Sequence, residues 1–521
     1  MTIRFGVDTV DEIDAVLARL RQRGISLRVE GSSLRYVGPR GALSIDEKSA
    51  LGNLAVRIIA RLREENEHVH NSREMPRVGE EERTAPLSFS QFWHWTMFGL
   101  QGKQSLRGTT YIGRMCGMLE LRELRDSFAA IVRRHAALRT TIGVAHGVPV
   151  QKTTVRGRYE LECADVIRGS LEELEGEIRF TFEQMVLAPI EFSGGPLFQA
   201  KLLKIREDDH VLIMVMDHLI SDAYSIGILL REVFTVYAQL VREEPISLPS
   251  VAQFCDYAAW QRGIQGILIK NHSRFWEGKV GSFCENRFPT RHRVASGIGL
   301  DVVKFRVGRE RTTELRNWCR ANKTTMAMCF LATYALAVSR WCDKCEVVLQ
   351  YQTSGRSYKG FENAVGYFAS LLCLRIRVFA EDRFIDLLSR VVGDFCDADE
   401  HTDLSYMAMD SVQSALVKNT IFNWVPQESE AWLSKIDGLG DQLTIVPIRL
   451  ENPALKRMEM DSDPEIVMFD SGEEITGELC FPGSRFSRPS MEEFVGVFER
   501  LLMIVTRSSA ELLINIAFQQ S

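Results

Sequence analysis

Apolar residues recur every three to four positions in LRDSFAAIVRRHAALRTTI, IGILLREVFTVYAQLV and FVGVFERLLMIV, which is helix spacing, whereas VLIMVMDH is an apolar strand-like run. Helix-like and strand-like segments of these two kinds alternate from residue 85 to the end, and such alternation predicts an α/β core. The first sixty residues follow a different order. Ile13, Val16, Leu17 and Leu20 share one helical face, opened by a capping box from Thr9 to Glu12 and closed by Gly24. Ile25, Leu27 and Val29, then Leu34 and Tyr36, alternate about Gly31, Ser32 and Ser33, the pattern of a hairpin. A second capping box, Ser44 to Glu47, opens a helix that carries Leu51, Leu54, Ile58 and Leu62. The predicted order is helix, hairpin, helix, a module near the lower size limit for a core of its own.

Composition narrows the class. At 521 residues the chain exceeds one core, and its 45% hydrophobic and 25% charged content is ordinary for a globular protein. A net charge of −6 leaves no footprint of a nucleic-acid binder. The N-terminus lacks a basic region followed by an apolar one, and no run approaches the ~18 apolar residues that span a bilayer, so neither secretion nor membrane insertion is expected. Eleven scattered cysteines fit reduced thiols and a cytoplasmic location. Cys342 and Cys345 form a lone CxxC between a helical and a strand-like run; with no second pair at matching spacing, they read as a turn and no metal is expected.

The chemistry concentrates in VMDHLISDAYS, where a strand-like run ends in His218 and Asp222 follows four residues later. A neutral imidazole at a strand end can accept a proton at a reacting carbonyl. On an extended strand Asp217 and His218 point to opposite faces, so only one can meet a substrate. Ser225 and Gly227 fall at the start of the next helix, suited to capping it and to close backbone approach.

Several segments in register resemble the condensation domains of nonribosomal peptide synthetases. LSFSQFWHW (87–95) is similar to the opening element, with Gln91 and Trp95 matching; RRHAALRTTI (133–142) to the next, with His135, Leu138, Arg139 and Thr140 in place; and FSGGPLFQAKLLKI to the lead into the catalytic strand. MDHLISDAYS resembles the HHxxxDGxS signature, DYAAWQR (256–262) and SGRSYKGFENAVGYFASLLCLR (354–375) further elements, and HTDLSY (401–406) a degraded sixth. The resemblance implies two chloramphenicol-acetyltransferase-like lobes in a V around a tunnel, residues 85–265 and 266–521. It also implies attack of an amine on an acyl thioester carried on the phosphopantetheine of partner carrier proteins, with no cofactor of the chain's own. His218 matches the catalytic histidine, as base or as holder of the nucleophile. Asp222 matches an aspartate that pairs with an arginine of the second lobe, here Arg356, in a structural role shared with Asp217, Ala223, Ser225 and Gly227. Arg139, Gln91, Ser370 and Asn423 are the tunnel or substrate candidates; for Arg139 a structural ion pair is the alternative.

Two departures keep a second chemistry open. Asp217 stands for the first histidine and Ala223 for the glycine, where a left-handed φ would cost alanine about 1 kcal/mol. DHLISDAYS then also fits the Asp-x4-Asp-x2-Ser signature of the related heterocyclisation domains. A non-catalytic recruitment module is the reading from another class.

Residues 1–64 resemble the N-terminal docking domains of some synthetase subunits, the tubulysin type. That implies capture of an upstream subunit's C-terminal tail on the hairpin at 25–36 by strand addition. The charged stretch 65–84 reads as a flexible linker. No adenylation, carrier or thioesterase motif follows, so the expectation is a stand-alone enzyme whose donor arrives in trans, with release of the product to a free amine as one possible ending.

Overall fold

The computed structural model of the chain describes residues 82–96, 108–154, 159–166, 171–189, 192–280, 286–289, 299–404 apart from 357 and 359, 420–425, 443–448, 463–505, the strands 26–30 and 33–37, and single positions 20, 51, 54, 58, 450, 507, 512 and 513. Strands Ser26–Glu30 and Ser33–Val37 pair antiparallel, Leu27 opposite Tyr36 and Val29 opposite Leu34. The helices expected at 9–24 and 44–62 lie outside the described residues, except that Leu20, Leu51 and Ile58 are helical and buried.

The first lobe is built on a sheet whose spatial order is Leu443–Pro447, Thr109–Gly117, Asp209–Met216, Phe198–Arg206 and Glu162–Asp165. Every residue of the central strand Asp209–Met216 is buried. One face packs Leu212, Met214 and Met216 against Phe128 and Ile131 of helix Leu121–Arg134 and Val233 and Phe234 of helix Ala223–Val241. The other packs Val211, Ile213 and Val215 against Phe182 and Val186 of helix Leu171–Leu187. Sealing on both faces is what turns a continuous apolar run into a central strand. Helix Ala223–Val241 is long and apolar enough by length and composition to cross a membrane, but 56% of its apolar window is buried in this core.

The second lobe orders Leu300–Val307, Ile475–Pro482, Glu465–Asp470, Thr420–Val425, Glu346–Thr353 and Ser370–Arg377. Thr420–Val425 is parallel to both neighbours and the remaining pairs are antiparallel. Helix Met326–Cys342 is buried on nearly every side between this sheet and helices Phe384–Asp399 and Arg488–Ile504. It ends at Asp343 in the left-handed region, φ 51°, and the next strand starts at Glu346, so the CxxC spans a helix-to-strand turn.

Two boundaries differ from the sequence division. Arg83 and Thr84, assigned to the linker, belong to strand Arg83–Pro86, which pairs with Val148–Thr153. Leu443–Pro447, assigned to the second lobe, forms the edge of the first lobe's sheet against Thr109–Gly117. A sheet edge offers unpaired N–H and C=O groups, and this segment returns across the molecule to cover one.

Candidate active site

Strand Asp209–Met216 stops at a tight turn that presents His218. Asp217 is fully buried; its carboxylate accepts from Leu219 N at 2.8 Å, and its own N–H donates to Leu197 O at 2.9 Å. His218 alone of the two remains partly open. Its Nδ1 lies 3.2 Å from Thr109 Oγ1 and 3.4 Å from the Ser221 carbonyl oxygen. A carbonyl only accepts, so this network assigns the proton to Nδ1 and leaves the lone pair on Nε2. Burial lowers the imidazole's pKa below 6.5, opposed by the Ser221 carbonyl and the Asp222 charge. A neutral imidazole with a free Nε2 is the form a proton acceptor needs.

Gly108 supports that ring. A Cβ there would lie 2.3 Å from His218 Nε2, a distance no side chain tolerates. Two further rings close around it. His94 and Tyr367 each have their centroid 5.8 Å from that of His218, and 5.8 Å from one another. Helix Phe89–His94 fixes the arrangement from a second point, because Gln91 Nε2 donates to Leu219 O at 2.6 Å, one residue past His218. His94 is buried, and burial together with the His218 charge lowers its pKa to about 3.

Asp222 turns away from the imidazole to a different task. It is the N-cap of helix Ala223–Val241, accepting from Ser225 N at 2.9 Å, while Ser225 Oγ donates to Asp222 Oδ1 at 2.7 Å. Arg356 reaches it with a two-pronged contact, Nη1 to Oδ2 at 2.8 Å and Nη2 to Oδ1 at 3.0 Å, and both side chains are 3% exposed. Oδ2 also accepts from Phe368 N at 3.1 Å and Ala369 N at 3.2 Å, and Ser225 Oγ accepts from Gly366 N at 3.1 Å. A buried charge pair holds best when its remaining hydrogen-bonding capacity is satisfied; here the second lobe's backbone satisfies the carboxylate, while Arg356 Nε has no partner among the described residues. The guanidinium is sandwiched 4.6 Å from both the Tyr224 and Phe368 rings. Gly355 makes the approach possible: its φ is +63°, and a Cβ would stand 1.9 Å from Phe368 O.

The other expected site residues separate. Ala223 is the first residue of the helix and has no positive φ, so the strain foreseen for alanine does not arise. Gly227 sits in the second turn of that helix. Gln91 is not open to substrate: it is fully buried, with its oxygen accepting from Ser88 N and its amide bound to Leu219 O. Arg139 donates to the carbonyls of Val132, Arg133 and Thr154, on the rim of a groove of about 490 Å³. Ser370 opens with Ser90, Tyr257 and Asp403 on a cleft of about 10 Å³, room for one water. Asn423 lies mid-strand opposite Val467, half-buried. Among the described residues no cluster of three metal-binding side chains occurs. His94, Gly108, Thr109 and Tyr367 were not singled out from sequence, although His94 and Tyr367 lie inside motifs already read, LSFSQFWHW and the run from Gly366 to Ser370.

The model of the condensation domain family matches residues 81–516. Cyclosporin synthetase simA of Tolypocladium inflatum is 28% identical over 429 residues, 80% of this chain and 3% of that protein. Bacitracin synthase 2 of Bacillus licheniformis is 26% identical over 396 residues, 75% of this chain and 15% of that protein, so the chain spans a small part of the length of these relatives. Among solved structures, the X-domain from teicoplanin biosynthesis aligns with TM-score 0.70 at 18% identity, over 85% of this chain and 99% of that one. The cyclization–docking bidomain EpoB of Sorangium cellulosum aligns with TM-score 0.73 at 14% identity, over 95% of this chain and 98% of that one. These structural likenesses establish a shared fold.

Proposed function

The chain belongs to the condensation domain family of nonribosomal peptide synthesis, and from that premise we propose that it joins an amine to an acyl or peptidyl group held as a thioester on a carrier protein. The observation that carries this reading is His218, presented at a strand end with Nδ1 engaged by Ser221 O and Nε2 free. The attacking amine gives its proton to Nε2 as the C–N bond forms. The carbonyl π pair moves to oxygen and returns as the C–S bond breaks, and the thiolate leaves with the proton from the imidazolium. Proton transfer of this kind contributes typically 10²–10⁴-fold, and tethering both reactants contributes further by orientation. The phosphopantetheine arms belong to the carriers. Asp222 and Arg356 hold the lobes in register, and Asp217 fixes the turn.

The docking part of the proposal is recruitment of the donor through the strand pair 26–37, whose outer edges have no partner strand among the described residues and would suit addition of a strand from an upstream subunit's tail. The fold likeness to a cyclization–docking bidomain over 95% of the chain supports a module of that kind. The acceptor amine is carrier-bound or free; a free amine makes this a releasing step.

One observation favours a second reading, heterocyclisation: Asp217, Asp222 and Ser225 fit its signature. The buried Asp217 carboxylate, bonded to Leu219 N, weighs against a role for it on substrate. Incubation with an acyl-loaded carrier and a panel of amines, read by mass spectrometry, separates the readings. An amide is expected. A cysteine-, serine- or threonine-derived product lighter by one further water supports heterocyclisation, and tight carrier binding with no turnover supports a recruitment module.

A further inference from the structure

The second lobe brings its own polar group to His218. Tyr367 is half-buried, its ring 5.8 Å from those of both His218 and His94 and tilted 38° to the former. No hydrogen bond engages its hydroxyl among the described residues, in a neighbourhood where most polar groups are bonded: Asp217 to Leu219 N, Asp222 to donors on Ser225, Arg356, Phe368 and Ala369, and Gln91 to Leu219 O. His218 Nε2 likewise makes no hydrogen bond among the described residues, since those of that ring fall on Nδ1.

The position of Tyr367 is set with unusual firmness from both sides. Gly366 N donates to Ser225 Oγ at 3.1 Å, and Phe368 N donates to Asp222 Oδ2 at 3.1 Å. The residue between them is thus pinned to the first lobe through its two neighbours. Gly366 itself is pressed on Phe254, where a Cβ would come within 2.3 Å of the ring, so the segment has no freedom to slide. A group held this way costs little reorganisation when charge develops beside it.

We propose that Tyr367 is a catalytic residue whose phenol O–H donates a hydrogen bond to the thioester oxygen as it becomes an oxyanion. The inference rests on the amide-forming reading of the site. It divides the work between the lobes: His218 of the first takes the amine proton, and Tyr367 of the second stabilises the charge that the departing π pair leaves on oxygen. The phenol keeps its proton throughout, so the proton balance of the reaction is unchanged. Burial, with the Asp222 and Asp217 charges nearby, raises the phenol's pKa above the ordinary range, which keeps it a donor at every working pH. The ion pair of Asp222 and Arg356 then has a purpose beyond stability, because it seats the oxyanion donor opposite the base.

The test uses the full chain with Tyr367→Phe, which retains the ring, and Tyr367→Leu, which does not. Two ligands are compared by calorimetry: pantetheinyl methylphosphonothioate, an anionic tetrahedral mimic of the adduct, and S-acetonyl pantetheine, a ketone that cannot react. Removal of one oxyanion donor is expected to cost kcat about 10²–10³-fold, with KM for the acyl carrier and the melting temperature unchanged in Tyr367→Phe. The same variant should lose at least tenfold in affinity for the phosphonothioate and nothing for the ketone. Full activity in Tyr367→Phe, with or without loss in Tyr367→Leu, overturns the inference and reduces the ring to packing. Equal weakening toward both ligands overturns it as well. If wild type makes no amide, the functional reading fails and takes the inference with it; if wild type is active and Tyr367→Phe matches it, only the inference fails.

Discussion

At the scale of single residues, the two imidazoles of the site have a shared consequence. Burial holds His94, to about 3, and His218 below the ordinary histidine value of 6.5. The unfolded chain takes up protons near pH 6.5 that the folded chain refuses. The stability attached to their neutral forms is therefore complete above that pH and is lost as pH falls toward the folded values. Each such group costs up to ~1.4 kcal/mol per pH unit in that window. Urea denaturation at pH 7 and pH 5 should show wild type losing more stability than His94→Phe, by about 2 kcal/mol for the one group removed. An equal loss in both proteins would place His94 in water. Gly108 gives a second prediction. Gly108→Ala puts a methyl where Nε2 stands, at 2.3 Å, so the imidazole must rotate away. A misplacement of this size should lower kcat by ~10²-fold, while the melting temperature stays near wild type because His218 is a partly open side chain at the end of its strand. Steady-state rates and a thermal melt decide it.

At the scale of elements, the start of helix Ala223–Val241 is held from several directions at once. Asp222 is both its cap and the acceptor for Arg356, Phe368 N and Ala369 N. Asp222→Ala leaves a buried guanidinium unpaired, an expected loss of ~3–5 kcal/mol, read by chemical denaturation, with activity falling alongside. A soluble variant of wild-type stability but without activity would contradict the structural role. The site was legible in sequence where its chemistry follows a short spacing: His218 and Asp222 lie four residues apart on a strand end and a helix cap, and Arg356 followed from a family pattern. What sequence could not supply was proximity. His94, Gly108 and Tyr367 approach His218 from elements far along the chain, and no periodicity encodes which ring touches which. Arg139 and Gln91 illustrate the converse. Their motifs are distinct, yet their polar atoms are spent on the backbone, Arg139 on carbonyls and Gln91 on Leu219 O and Ser88 N, a fate that depends on loop paths rather than residue type.

At the scale of the whole molecule, the lobes exchange parts. Phe89, at the start of the first lobe, packs in the second core, while Val365 and Leu443, from the second, pack in the first. The strand Leu443–Pro447 completes the other lobe's sheet. The alternation of helices and strands predicted two α/β lobes, but a five-residue strand with no strong pattern gives no sign that it pairs several hundred residues away. Expression of residues 82–264 alone should therefore expose the edge Thr109–Gly117 and aggregate, and co-expression with residues 265–521 should restore a soluble complex on size-exclusion chromatography. A monodisperse, folded first half would show that the returning strand is dispensable.

The amide bond that His218 helps to make is the chemistry on which the rest of the site depends. Single-turnover transfer from an acyl-loaded carrier to an amine, followed by intact-protein mass spectrometry, tests it directly in wild type and His218→Ala. The expected result is amide formation in wild type and a rate lower by 10²–10⁴-fold in the variant, with carrier affinity and melting temperature unchanged. An unchanged transfer rate in His218→Ala, or an acyl carrier that wild type leaves fully loaded with every amine tried, would contradict it.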